Sequence, residues 1–186
     1  MQKIALIVAG GRGERMNSSI PKQFLCFKGT PILMHSLKKF DFFDNIVLVL
    51  PRSEFDNWKA LCHKYKFNIP HTLVEGGATR IESVQKGLKK ITGNVIVAIH
   101  DGVRPLISKQ LIDKLITEVQ PNIGIVPIIP VKDSLRKVTD NNSISINRSN
   151  IFRVQTPQCF MSEDIKAAYK NITINQNFTD DASIFE

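Results

Sequence analysis

Three uninterrupted apolar runs, Ile4-Ala5-Leu6-Ile7-Val8, Ile46-Val47-Leu48-Val49-Leu50 and Val95-Ile96-Val97-Ala98-Ile99, constrain what this chain can fold into. A strand without alternating polar residues has to be covered on both faces, as strands of a parallel sheet between helices are. Helical patterns fill the intervals. Ile32 to Phe43 reads as a helix turning Ile32, Leu33, Leu37 and Phe40 to the core, and Ser53 begins a second, with Asp56 placed to close a capping box. A third strand, His71 to Glu75, ends at Gly76-Gly77. Thr79-Arg80-Ile81-Glu82 is a capping-box signature, followed by Ile81, Val84, Leu88 and Ile91 at helical spacing. Ser108 caps a helix carrying Leu111, Ile112, Leu115, Ile116 and Val119, and Ile123 to Ile129 reads as a fifth strand. The alternation predicts a single α/β domain over residues 1–186, with an open, Rossmann-like, mostly parallel sheet and helices on both faces.

From Val131 to Arg153 the pattern turns polar and β-like, with a turn at Asp140-Asn141-Asn142 and alternating Ile144 and Ile146. It reads as a β-hairpin arm projecting from the sheet. An oligomerisation arm and a long surface hairpin without a partner both fit it. Ser162 to Tyr169 is a short helix, and Thr179-Asp180-Asp181-Ala182-Ser183 is a helix start with a hydroxyl at the cap and acids in the first turn. The sequence ends at Glu186, about two turns into that helix, which reads as a truncated sequence.

Bulk properties exclude several classes. A chain of 186 residues, 42% hydrophobic and 23% charged, is an ordinary globular composition. No apolar run approaches the ~20 residues of a membrane span, and the N-terminal run is too short for a signal peptide. Cys26, Cys62 and Cys159 are scattered without CxxC spacing, which predicts reduced thiols and a cytoplasmic protein. The net charge of +8 comes largely from lysines spread over helix faces, such as Lys38-Lys39, Lys86 and Lys89-Lys90. Without an Arg-rich tract or interleaved aromatics, neither nucleic acid nor membrane is the expected partner.

The first strand opens into Val8-Ala9-Gly10-Gly11-Arg12-Gly13-Glu14-Arg15-Met16, followed by Pro21-Lys22-Gln23-Phe24. Glycines let backbone N–H groups approach an anion, and Arg15 and Lys22 add cations that chemistry on a nucleoside triphosphate needs. A dinucleotide fingerprint would need a third glycine where Met16 stands, and no Lys sits in a P-loop frame. A surface turn with solvated cations is the competing reading.

Ligands of open α/β sheets sit beyond the carboxyl ends of the strands. The glycine loop, Gly76-Gly77 with the Thr79–Ser83 helix start, Asp101 with Arg104, and Thr156 collect there. Asp101 could hold Mg²⁺ together with substrate phosphates, or cap a loop. Ser83 offers a hydroxyl, or is an ordinary helix residue. His35, His63, His71 and His100 lack metal-ligand spacing, and there is no G-x-S-x-G elbow, so covalent catalysis has no candidate.

Assembled in order, the motifs resemble the cytidylyltransferases acting on 2-C-methyl-D-erythritol 4-phosphate. The resemblance rests on Ala9 to Met16, Pro21 to Phe24, Gly76 to Val84, His100 to Pro105, Thr156-Pro157-Gln158 and Thr179 to Ser183. It implies a nucleotide-diphospho-sugar transferase-like fold and transfer of CMP from CTP to the polyol phosphate, releasing pyrophosphate in non-mevalonate isoprenoid synthesis. By resemblance, Arg15 and Lys22 are transition-state stabilisers. Ala9, Gly10, Gly11, Arg12, Gly13, Gly77, Ser83, Asp101 and Gly102 contact CTP, and Asp101 holds Mg²⁺. The arm, about residues 131–153, would clasp a second subunit in a homodimer. Arg148 would then position the acceptor phosphate across that interface, with Arg104, Ser134 and Thr156 in the acceptor region.

Three departures stand out. Ala78 replaces an acid found in some members, and Gly102-Val103 replaces an Ala-Ala pair. The family's closing strand and its acceptor-positioning lysine are missing after Glu186, so the 186-residue form is expected to bind CTP weakly and turn over poorly, read as pyrophosphate release. The sister cytidylyltransferases for ribitol 5-phosphate share the loop, but tend to carry Asn and Thr where this chain has the Arg80-x-x-Ser83-Val84 pattern. A nicotinamide oxidoreductase would need an acid ending the second strand, which here runs into Pro51-Arg52. A non-enzymatic nucleic-acid binder would explain the charge and leave Pro21-Lys22 and Asp101 to Arg104 without a role.

Overall fold

The computed structural model describes residues 1–11, 20–172 and 178–186, so the expectations placed on Arg12, Gly13 and Arg15 lie outside the described residues. The chain starts with β1 (Lys3–Val8), a 3-10 turn at Lys22–Phe24, the short strands β2 (Cys26–Phe27) and β3 (Thr30–Pro31), and helix α1 (Ile32–Lys38). Next come β4 (Asn45–Leu50), a 3-10 turn at Arg52–Glu54, α2 (Phe55–Lys64), β5 (Thr72–Glu75), α3 (Arg80–Leu88), β6 (Ile96–Asp101) and α4 (Lys109–Thr117). The last third holds β7 (Ile128–Pro130), β8 (Leu135–Thr139), β9 (Asn142–Ile146), β10 (Phe152–Val154), β11 (Gln158–Met161), α5 (Ser162–Lys170) and α6 (Ala182–Phe185).

The central sheet runs β11-β6-β1-β4-β5. The three pairings among β6, β1, β4 and β5 are all parallel, and β11 closes the β6 side antiparallel. The apolar runs behave as their composition requires. Along β1, Ala5 and Ile7 enter one buried cluster with α1, α2 and α4, while Ile4, Leu6 and Val8 enter the other with α3 and α5. β4 splits the same way, with Ile46, Leu48 and Leu50 on the first face and Val47 and Val49 on the second. This period of two, both halves apolar, is why those runs show no polar alternation.

Three local expectations are corrected. The stretch Ile123 to Ile129 is not the fifth strand of the sheet. Ile125 makes one isolated bridge to Cys159, and Pro127 has no N–H with which to continue the ladder. Gln158–Met161 takes that place, with all four residues buried. The second helix begins at Phe55 after a 3-10 turn, and neither Ser53 nor any other side chain caps it. The first helix ends at Lys38, because Lys39 and Phe40 bond back three residues to Ser36 and Leu37, though Phe40 still reaches the core. The caps at Thr79 and Ser108 form as expected, accepting from the amides of Glu82 and Leu111.

The arm is a hairpin of β8 and β9, paired in register from Leu135 with Ile146 to Thr139 with Asn142. It stands on a second two-stranded ladder, β7 with β10, whose six residues are all exposed. Ile128, Ile129, Phe152, Val154, Val138 and Ile144 leave apolar surface uncovered along arm and base.

Candidate active site

Four strands of the parallel part end on one side, and a cavity of about 1240 Å³ opens there. β1 delivers Ala9, Gly10 and Gly11, β4 delivers Pro51, the turn after β5 delivers Gly77, and β6 delivers Asp101. From opposite faces of the sheet, the Lys22–Phe24 turn brings Lys22 and α3 brings Arg80 and Ser83. The geometry therefore unites Ala9, Gly10, Gly11, Lys22, Gly77, Ser83, Asp101 and Arg104 from the sequence reading.

Backbone economy explains the glycines. A Cβ at Gly77 would lie 2.2 Å from the Glu82 Cβ, and one at Gly76 would lie 3.0 Å from the Ser83 Oγ. This turn is folded against the start of α3 so closely that only glycine fits. Ser83 holds it: its hydroxyl donates to the Thr79 carbonyl at 2.9 Å and accepts the Gly77 N–H at 3.0 Å. Ser83 is thus first a turn organiser, and one lone pair stays free for a ligand. Glu82 accepts the Ala78 N–H at 2.8 Å, which ties the turn to the first turn of α3.

Charge is concentrated on one wall. Among the described residues, Lys22, Arg80 and Arg104 line the cavity against one carboxylate, Asp101. Among the described residues Lys22 has no carboxylate partner, and its Cε comes within 4.0 Å of a Cβ built at Gly11. Arg104 Nε donates to Asp101 Oδ2 at 2.8 Å, and Arg80 Nε stands 3.5 Å from Oδ1. The two outer nitrogens of Arg80 grip Asp181 at 2.9 and 2.7 Å, and the Tyr169 hydroxyl donates to the same carboxylate at 2.6 Å. Burial works against the Arg80 charge, but the Asp181 carboxylate more than offsets it and raises its pKa; burial and Asp181 together push the Tyr169 phenol up. Gln23 is buried on the cavity wall, and its Oε1 has no hydrogen-bond partner among the described residues. An orphan acceptor suits a wall completed by a ligand.

Asp101 passes the test for a divalent cation. No group of three His, Cys, Asp or Glu side chains stands together among the described residues, so an all-protein cage is not formed there. Mg²⁺ commonly takes one or two carboxylates, waters and substrate phosphates, and a carboxylate with about four lone-pair sites keeps capacity beside its two arginines.

Other expected residues fall elsewhere. Arg148 and Ser134 are exposed on the arm and do not line this chain's cavity; the Arg148 guanidinium donates to the Lys132 carbonyl. Thr156 is 8% exposed, and its hydroxyl points inward to His100. Gly102 lies beneath the loop, where a Cβ would come within 2.8 Å of both the Ala9 Cβ and Leu33 Cδ1. The sequence reading missed the Arg80–Asp181–Tyr169 cluster. Its only signal was an acid pair at a helix start, 101 residues from Arg80.

A buried histidine and a half-buried one set a pH dependence. Burial pushes His100 down to about 4 and lowers His71, which accepts the Trp58 Nε1–H at 2.9 Å. Folded values below the unfolded ~6.5 mean that the unfolded chain binds more protons between them. The stabilisation is therefore complete above about pH 6.5 and is lost as pH falls towards 4, on the order of 3 kcal/mol for His100. Urea midpoints measured at about pH 7.5 and about pH 5 should fall on acidification, and an unchanged midpoint would contradict this assignment.

The family model for 2-C-methyl-D-erythritol 4-phosphate cytidylyltransferase matches residues 3–186. Enzymes of that name from Azobacteroides pseudotrichonymphae and Bacteroides fragilis are 47% and 43% identical, covering the whole of this chain and 84% and 86% of their own lengths. The crystal structure of 4-diphosphocytidyl-2C-methyl-D-erythritol synthase from Anaerococcus prevotii superposes with a TM-score of 0.81 at 27% identity, over 99% of this chain and 82% of that one. The Thermus thermophilus cytidylyltransferase gives 0.81 at 26% identity, over 100% and 83%. The family model and these relatives agree over the whole chain, and the chain belongs to the 2-C-methyl-D-erythritol 4-phosphate cytidylyltransferase family.

Proposed function

We propose that this family member transfers CMP from CTP to 2-C-methyl-D-erythritol 4-phosphate by electrostatic stabilisation in the cavity beneath Lys22, without a protein nucleophile. The supporting observation is the cavity wall itself. Three cations and glycine N–H groups line it, and neither cysteine nor histidine does among the described residues. A phosphate oxygen of the acceptor bonds to the α-phosphorus of CTP as the bond from that phosphorus to the bridging oxygen breaks. Pyrophosphate leaves with the electron pair. Lys22, with Arg15 of the preceding glycine-rich motif, offsets the charge that grows on the α-phosphoryl and leaving groups.

Ala9, Gly10 and Gly11 hold the nucleotide by backbone contacts, together with Arg12 and Gly13. Gly77 and the free lone pair of Ser83 face the base. Asp101, above Gly102, serves the ribose side and holds Mg²⁺ with the nucleotide phosphates. When bound, the cation neutralises phosphate charge. Arg104 belongs to the acceptor side. A homodimer through the arm would bring Arg148 and Ser134 of the partner subunit to that acceptor, and the uncovered apolar residues of β7 to β10 support this reading. Three free cysteines support a cytoplasmic setting.

Pyrophosphate release from CTP, measured with 2-C-methyl-D-erythritol 4-phosphate and with ribitol 5-phosphate, tests the acceptor. Release is expected with the first and not the second. Preference for ribitol 5-phosphate would overturn the reading.

A further inference from the structure

Between β6 and α4 the backbone is pinned from several directions, although only the side chains of Asp101 and Arg104 are needed in the cavity. The Gly102 N–H donates to the Val8 carbonyl at 2.9 Å, and the Gly102 carbonyl accepts the Ser36 hydroxyl of α1 at 2.7 Å. His100, fully buried, faces the Arg104 carbonyl with Nε2 at 3.1 Å. A carbonyl only accepts, so Nε2 carries the proton and Nδ1 is an acceptor. The Thr156 hydroxyl therefore donates to Nδ1 at 2.9 Å, which leaves its oxygen to accept the Asp101 N–H at 3.2 Å. Next door, the Gln155 side-chain carbonyl accepts from the Arg104 guanidinium.

We infer that Thr156 and His100 are positioning residues for Asp101, acting through its backbone rather than on the acceptor. With the imidazole proton on Nε2, each hydrogen-bonding role in this relay is assigned, from the Arg104 carbonyl at one end to the Asp101 amide at the other. The hydroxyl of Thr156 makes two buried bonds and sits below the cavity wall, not on it. Without it, the Asp101 amide and the imidazole nitrogen both lose their partner, and the backbone that carries the carboxylate loses one of its anchors. A displacement of about 1 Å at a reacting centre is enough to cost ~10²-fold. The inference rests on the proposed service of Asp101 to CTP and the divalent cation.

The test compares Thr156→Val, Thr156→Ser and Asp101→Asn by pyrophosphate release with Mg²⁺, CTP and the polyol phosphate varied in turn, alongside thermal melts. Thr156→Val keeps the shape and removes the relay. It should raise the Mg²⁺ half-saturation and the KM for CTP about tenfold, the usual scale for losing a residue that orients a metal ligand, with the acceptor KM within about twofold. Thr156→Ser keeps the hydroxyl and should restore both. Added to Asp101→Asn, Thr156→Val should cost less than about twofold more, since both act on one carboxylate.

An increase confined to the acceptor KM would overturn the inference and return Thr156 to direct substrate contact. So would a lowered melting temperature with unchanged Mg²⁺ and CTP dependence. If Asp101→Asn is impaired and Thr156→Val is not, the relay fails alone. If Asp101→Asn is itself silent, the reading of Asp101 fails and takes the relay with it.

Discussion

Replacing Lys22 by Ala should lower kcat by about 10²–10³-fold while the Kd for CTP shifts by less than about fivefold. The reasoning starts from position. Lys22 sits half-buried at the cavity edge beside Gly11, and among the described residues it has no carboxylate to neutralise it. Its charge is therefore held for a ligand. In the proposed mechanism ground-state CTP is also held by backbone groups and the cation, so the lysine matters most when charge moves onto the α-phosphoryl group and the departing pyrophosphate. Rapid-quench turnover measures the first quantity and calorimetric titration the second. Equal losses in both would make Lys22 a uniform binder, and an unchanged kcat would remove electrostatic stabilisation by this residue from the mechanism.

Asp181→Ala should lower stability by about 3 kcal/mol, seen as a melting temperature lower by ~6–12 °C for a domain of this size. Asp181 is fully buried and satisfies two nitrogens of Arg80 and the hydroxyl of Tyr169. Its removal strands a guanidinium and a buried phenol together. The 32% exposure of the Arg80 side chain lets water recover part of the loss, which places the value at the low end for broken buried pairs. Activity should fall as well, because Arg80 also faces Asp101 across 3.5 Å. A loss under about 1 kcal/mol would mean that the pair is a solvated contact, and Asp181→Asn, which keeps the shape and the acceptor for Tyr169, should be milder.

How far each element could be read from sequence depended on the range of its cause. β1, β4 and β6 were visible because burial on both faces writes itself into five consecutive apolar residues. The caps at Thr79 and Ser108 were visible because hydroxyl and amide lie three residues apart. β11 was missed because four residues after a proline carry no periodicity, and what makes Gln158–Met161 a strand is the open edge of β6. The candidate site divides along the same line. Gly10, Gly11, Lys22, Gly77, Ser83 and Asp101 belong to short motifs at strand ends, and the parallel order of the sheet necessarily brings those ends together.

By itself, then, the sequence determined the parallel α/β framework, the sheet edge at which Gly10, Gly11, Lys22 and Asp101 collect, and the resemblance to the family. Each follows from residues close together in the chain or from a sheet whose order is tightly restricted. Tertiary structure alone decided where the long-range partners meet. It closed Arg80 on Asp181 across 101 residues, and it turned the Thr156 hydroxyl inward towards His100 and the Asp101 amide. A hydroxyl has no direction in a sequence; it takes one only when the buried acceptor and donor on either side of it have been fixed by the packing of other elements.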